Sequence, residues 1–121
     1  MSKDFIIIEP DPIVRIDLEG TLMHDFPLSS INIGETLGDV QDALGAAARD
    51  AVLFVKGGML LTDVDLLEAV KTLAARGCHI VSIGKVEMLD FVSTCVELPF
   101  TTEMVLEAVR PNTDDSRDAE V

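Results

Sequence analysis

Five short apolar runs, set between stretches of helical periodicity, constrain this chain more than any other feature of its sequence. They are "FIII" (5–8), "SINIG" (30–34), "AVLFV" (51–55), "HIVSIG" (79–84) and "CVEL" (95–98). All but the second are nearly continuously apolar, which is the composition of parallel strands covered on both faces. Regular alternation with helical segments predicts an α/β chain with helices on both sides of one sheet. The expected architecture is a (βα)5 three-layer sandwich, and the weaker second run is assigned to an edge.

The helical segments carry their own signals. In "DPIVRIDLEGTLMHD", Asp11 is placed to cap and Pro12 to occupy the first helical position, where a missing N–H is harmless. Val14, Leu18 and Leu22 then share one face, and Gly20 weakens the helix by roughly 1 kcal/mol relative to alanine. A second helix is expected over 36–48, rich in Gly and Ala and so the least stable of the long helices. A third starts at a Thr62 cap, buries Val64, Leu67, Val70 and Leu73/Ala74, and ends at Gly77. A fourth spans only 86–92, and a last one runs from Thr101-Thr102 to the residue before Pro111.

One domain is expected over residues 1–110, followed by a disordered acidic tail or linker over 111–121 without apolar periodicity. The 121 residues suffice to bury a core without disulfide staples. No apolar stretch approaches the roughly 18 residues of a membrane span, and the start of the chain lacks the apolar region of a secretory signal. A cytoplasmic location is therefore expected, with no membrane partner. Cys78 and Cys95 show neither CxxC nor Cys/His spacing and are read as reduced structural thiols. Nine basic against 22 acidic residues give a formal charge of −13, which repels phosphate backbones, so no nucleic-acid partner is expected. The same charge suits a basic partner surface.

Parallel sheets of this kind offer their ligand crevice at the carboxyl ends of the strands. That rule selects Glu9-Pro10-Asp11, Lys56-Gly57-Gly58, Gly84-Lys85 and Leu98-Pro99. Neither GxGxxG nor GxxxxGK[ST] is present, so "KGG" reads as a turn and not as a phosphate cradle. Only Glu9 and Asp11 offer carboxylates for magnesium, and Asp11 is already engaged in capping. Ser82 and His79 fall at opposite ends of one strand, no nucleophile is placed beside a base, and His24 reads as a solvated surface residue. The residues predict a protein that is not an enzyme and takes no cofactor.

The wording and order of these segments resemble the receiver domain of bacterial two-component response regulators, over residues 4–110. "IIIEPDPIVRIDLEGTL" is similar to the family's opening, "DAVLFV" to its central strand, and "CVELPFTTEMVLEAVR" to its closing Lys-Pro-Phe segment and last helix. The resemblance implies a flavodoxin/receiver-like five-stranded parallel sheet in the order 2-1-3-4-5. It also implies that the paired metal-binding acids fall on Glu9 and Pro10, the phosphoacceptor on Val55, the switch hydroxyl on Gly84 and the lysine on Leu98. Pro99 would follow a cis peptide bond, as prolines alone do readily. These replacements imply a degenerate pseudo-receiver without phosphoacceptor or metal, acting in two-component or phosphorelay signalling by contact with a histidine kinase, another regulator or a second copy.

Val86, Met88, Leu89, Phe91 and Val92 are candidate interface residues because the short fourth helix is more apolar than one narrow buried face requires, and Phe100 and Met104 are candidates beside them. An ion pair between Lys56 and Glu9 is expected to be exposed and worth less than about 1 kcal/mol. Two rival classes stand beside this reading. One is a regulatory domain binding a small ligand at Glu9, Lys56 and Gly84; the other, a flavodoxin-like electron carrier, is disfavoured by the absence of Trp and Tyr.

Overall fold

The computed structural model describes residues 4–47, 49–84, 90–92, 94–96 and 101–109. Five strands form one parallel sheet: β1 (Asp4–Ile8), β2 (Ser30–Gly34), β3 (Val52–Lys56), β4 (His79–Ile83) and β5 (Thr94–Val96). Their order is β2-β1-β3-β4-β5, as expected. The helices are α1 (Pro12–Asp25), α2 (Gln41–Gly45), the single turn α3 (Gly57–Leu60), α4 (Val64–Ala75) and α5 (Thr102–Val109), with a 3-10 turn at Leu37–Val40.

Two apolar layers sandwich the sheet, and strand alternation sorts residues between them. Ile6, Ile8, Leu53, Val55 and Ile80 face one way, against Leu44 of α2 and Leu66, Val70 and Leu73 of α4. Phe5, Ile7, Val52, Phe54, Val81 and Ile83 face the other, against Leu18 and Leu22 of α1 and Val105, Ala108 and Val109 of α5. Phe5 stacks at a tilt on both Phe26 and Phe54, with centroids 5.3 and 6.5 Å away. His79, at the amino end of β4, ties the sheet to α5 through Nε2 at 2.6 Å from the Ala108 carbonyl oxygen.

Helix α1 starts as its residues dictate: the Asp11 carboxylate accepts from the Ile13 N–H at 2.9 Å, and Pro12 occupies the first turn. Elsewhere the structure corrects the sequence reading. The helix expected over 36–48 is a 3-10 turn followed by five helical residues, because Gly38 and Gly45 punctuate a segment of low intrinsic stability. Asp63, not Thr62, caps α4, its carboxylate accepting from the Leu66 N–H at 3.1 Å. That shift leaves Val64 72% exposed and puts Leu66 in the core. "KGG" closes into the helical turn α3 in place of an open turn. Of the last apolar run, Cys95 and Val96 lie in β5, which begins at Thr94.

Gly34 closes β2 against the 3-10 turn. A Cβ built there would lie 2.5 Å from Asp39 Cβ, which is bonded to the backbone, and 3.0 Å from Cγ1 of the buried Val40. Asp39 cannot withdraw freely, since its carboxylate accepts the Glu35 and Thr36 N–H groups at 2.9 and 3.2 Å. Gly34→Ala is therefore expected to lower unfolding free energy by about 2 kcal/mol in urea denaturation, the usual scale of overpacking.

Candidate functional site

The carboxyl ends of β1 and β3 meet at a buried acid and a half-buried base. Glu9 follows β1 directly, and its N–H donates to the Gly34 carbonyl at 3.0 Å, so the β1–β2 ladder fixes its backbone. Its side chain is fully buried. Oε2 accepts the Asp11 N–H at 2.9 Å and lies 3.8 Å from Lys56 Nζ. Oε1 is buried without a hydrogen-bond partner. The pair is thus not the exposed one that the sequence suggests, since only its lysine reaches water, with the side chain 43% exposed. A carboxylate so buried is tolerable only with a nearby cation and donors.

Lys56 reaches Glu9 because of parity along the strand. Val52, Phe54 and Lys56 point to one face of the sheet and Leu53 and Val55 to the other, while Phe5, Ile7 and Glu9 share the first of these faces. Val55 is fully buried, beside Ile8 and Ser82 in the ladder, and belongs to the α2/α4 core layer. The residue of β3 at the mouth of the crevice is Lys56.

Arg15 of α1 braces the turn from outside, donating from Nη1 to the Glu9 and Pro10 carbonyls at 2.9 and 3.3 Å and lying 3.6 Å from Glu35. Pro10 is exposed and adds no oxygen beyond its carbonyl. Gly84 follows β4 at φ +93°, a left-handed conformation that favours glycine. The Ser82 hydroxyl on β4 points into the opposite layer: it donates to the Gly84 carbonyl at 2.6 Å and lies 3.1 Å from Cys95 Sγ. Among the described residues no group of three or more His, Cys, Asp or Glu side chains is placed to hold a metal.

Leu98, Pro99 and Phe100, with Val86, Met88 and Leu89, lie outside the described residues. Of the remaining interface candidates, Phe91 and Val92 pack against the α2/α4 layer, and Met104 is exposed on α5. Cys78 is buried, and desolvation pushes its thiol above the ordinary value despite the opposing pull of Arg76, in keeping with a structural role. Cys95, expected to be a buried structural thiol, is exposed on edge strand β5. His24 is a surface residue 3.7 Å from Asp25. No helix among the described residues is long and apolar enough to cross a membrane.

Comparison of the whole structure with solved proteins places this geometry in a known architecture. A CheY-like receiver domain protein from Methanospirillum hungatei JF-1 superimposes with a TM-score of 0.63 at 18% identity, over 88% of this chain and 90% of that one. The fold is that of a response regulator receiver domain. A response regulator from Colwellia psychrerythraea matches with a TM-score of 0.60 at 14% identity, over 96% of this chain and 98% of that one. The response regulator PhyR from Brucella abortus gives 0.63 at 15% identity; the match covers 98% of this chain and 51% of PhyR. No family model and no curated protein matches the sequence. The receiver fold therefore rests on architecture, with the strand order 2-1-3-4-5 as its signature.

Sequence reasoning placed Glu9, Lys56 and Gly84 at the crevice but read Lys56-Gly57-Gly58 as a turn after the strand, not Lys56 as its last residue. The signal for Lys56 was present in the alternation: two residues beyond Phe54, it continues that face past the end of the apolar run.

Proposed function

We propose that this chain is a receiver-type signalling domain without phosphoryl chemistry, neither an enzyme nor a metal protein, acting in the cytoplasm through protein contacts. Its setting is a bacterial two-component or phosphorelay pathway, and its partners are signalling proteins such as a histidine kinase or another regulator. The observation that carries this reading is the Lys56–Glu9 pair. A tethered ammonium lies 3.8 Å from the buried Glu9 carboxylate that follows β1, supplying internally the positive charge a bound cation would bring, while the Asp11 carboxylate is engaged in capping α1. On this reading Lys56, and not Val55, takes the phosphoacceptor position, and an amine forms no acyl phosphate. Pro10 and Gly84 support it from either side, since they offer neither a second carboxylate nor a hydroxyl.

The test is thermal unfolding with added magnesium. A ligand at 100 times its dissociation constant stabilises by about 2.7 kcal/mol. Millimolar magnesium is expected to leave the melting temperature unchanged; a rise that Glu9→Gln abolishes would contradict the reading.

One observation favours a second reading, a regulatory domain that binds a small ligand in the crevice. Glu9 Oε1 is buried without a partner, and a ligand bearing an N–H or O–H donor would satisfy it. On that reading a donor-bearing metabolite raises the melting temperature, and Glu9→Gln diminishes the rise.

A further inference from the structure

Five Lys and Arg side chains fall among the described residues of this acidic chain. Three of them lie 3.6–3.8 Å from a carboxylate: Arg15 beside Glu35, Lys56 beside Glu9 and Lys71 beside Glu68. Arg49 and Arg76 are exposed and have no such partner among the described residues. They also lie together. Arg76 closes α4 and donates from Nη2 to the Ala47 carbonyl at 3.2 Å, while Arg49 lies against Gly77, its Nε 3.7 Å from where a Cβ would stand there. Unpaired guanidinium charge is thus gathered at one place, by the amino end of the sheet.

A groove between α2 and α4 leads away from that place, over Leu44 and Leu73 and past Ala69 and Thr72. Arg76 stands at one end of it and Asp65 at the other, eleven residues or about 16 Å apart along the helix. The groove therefore has a positive end and a negative end.

Residues 111–121, which lie outside the described ones, carry charges in the matching order: Asp114 and Asp115 first, then Arg117. The end of α5 puts them within reach. Its last turn lies beside His79, whose Nε2 is 2.6 Å from the Ala108 carbonyl oxygen, and Arg76 is three residues before His79. Three residues span at most about 11 Å, whereas the six from Ala108 to Asp114 span up to about 20 Å when extended. Another 10 Å or so separates Asp114 from Arg117, and the long arginine side chain covers the remaining distance to Asp65.

We infer that residues 111–121 dock in this groove of their own chain, with Asp114 and Asp115 on Arg76 and Arg49, and Arg117 on Asp65. Exposed ion pairs are individually weak, but a tether supplies an effective concentration on the order of millimolar. A segment whose own dissociation constant is about 0.1 mM is then docked about nine-tenths of the time.

Trypsin reads this docking directly, because it must take the Arg117 side chain to cut after it. Loss of residues 118–121 from the native protein is followed by intact-protein mass spectrometry, against a synthetic peptide of residues 110–121. Cleavage of the protein is expected to be about tenfold slower than that of the peptide, the protection given by nine-tenths docking, and to approach it as salt is raised. The pair Arg49→Gln and Arg76→Gln, and the pair Asp114→Asn and Asp115→Asn, are each expected to bring the rate to that of the peptide with the matching sequence. Combining the two pairs should add nothing, as for partners in one interaction. Asp65→Asn, at the other end, is expected to speed cleavage about threefold, the worth of one exposed pair. The substitutions at 114 and 115 leave every described contact in place, so their result stands whatever the arginine variants do to stability.

Cleavage of the parent at the rate of the free peptide would overturn the inference, as would effects of the two pairs that simply add. Protection that grows with protein concentration would assign the groove to the same segment of a second copy, and would overturn it equally.

Discussion

Val55→Asp is expected to abolish the cooperative thermal transition, although the substitution installs an acid beside the place where receiver chemistry would sit. Val55 is fully buried among Ile6, Ile8, Leu53 and the α4 residues Leu66 and Val70. No cation among the described residues belongs to that layer. Burying an unpaired carboxylate there costs on the order of 5 kcal/mol, one of the few mechanisms that reach such values. A domain of this size holds only about 5–15 kcal/mol in all. Circular dichroism melting of the purified variant decides the matter. A Val55→Asp protein that melts like the parent would mean that this side chain faces the crevice, and the strand alternation described above would be wrong.

The neighbouring position is expected to behave differently. Lys56→Met should lower unfolding free energy by about 2 kcal/mol, and Lys56→Asp by about 3–4 kcal/mol, with both variants remaining folded. Methionine keeps most of the stem but leaves the Glu9 carboxylate buried without its cation; aspartate adds a second negative charge. These values sit at the lower end for broken buried pairs because the Lys56 side chain is 43% exposed and water screens the site.

The cause is separable by a second substitution. Glu9→Gln keeps an acceptor for the Asp11 N–H while removing the charge, so in the Lys56→Met background it should restore at least half of the loss. Urea denaturation of the four proteins of that cycle gives the coupling directly. No coupling between positions 9 and 56 would show that the 3.8 Å approach of Nζ to Oε2 has no energetic content.

Legibility from sequence followed the physics of each element. Continuous apolar runs betray strands covered on both faces, and Asp11-Pro12 announces a helix start by chemistry local to those two residues. The second helix failed because Ala and Gly favour and disfavour helix within one short segment, and tertiary contacts decided for a 3-10 turn and five helical residues. The α4 start moved by one residue because Thr62 and Asp63 are both capping types, and only the reach of the Asp63 carboxylate to Leu66 distinguishes them.

The site was harder to read than the fold. Read by hydropathy alone, an apolar run ends with its last apolar residue, which made Val55 the end of β3 and Lys56 part of a turn. A strand's final side chain is polar when it emerges at a crevice, and only pairing with Ile83 and approach to Glu9 place Lys56 in the strand.

The central claim is that the crevice holds a lysine–glutamate pair where a receiver would hold a phosphoacceptor. Incubation of the wild-type protein with acetyl phosphate and magnesium, followed by intact-protein mass spectrometry, tests it most directly. The account predicts an unchanged mass at every time point; a stoichiometric gain of one phosphoryl group would contradict it.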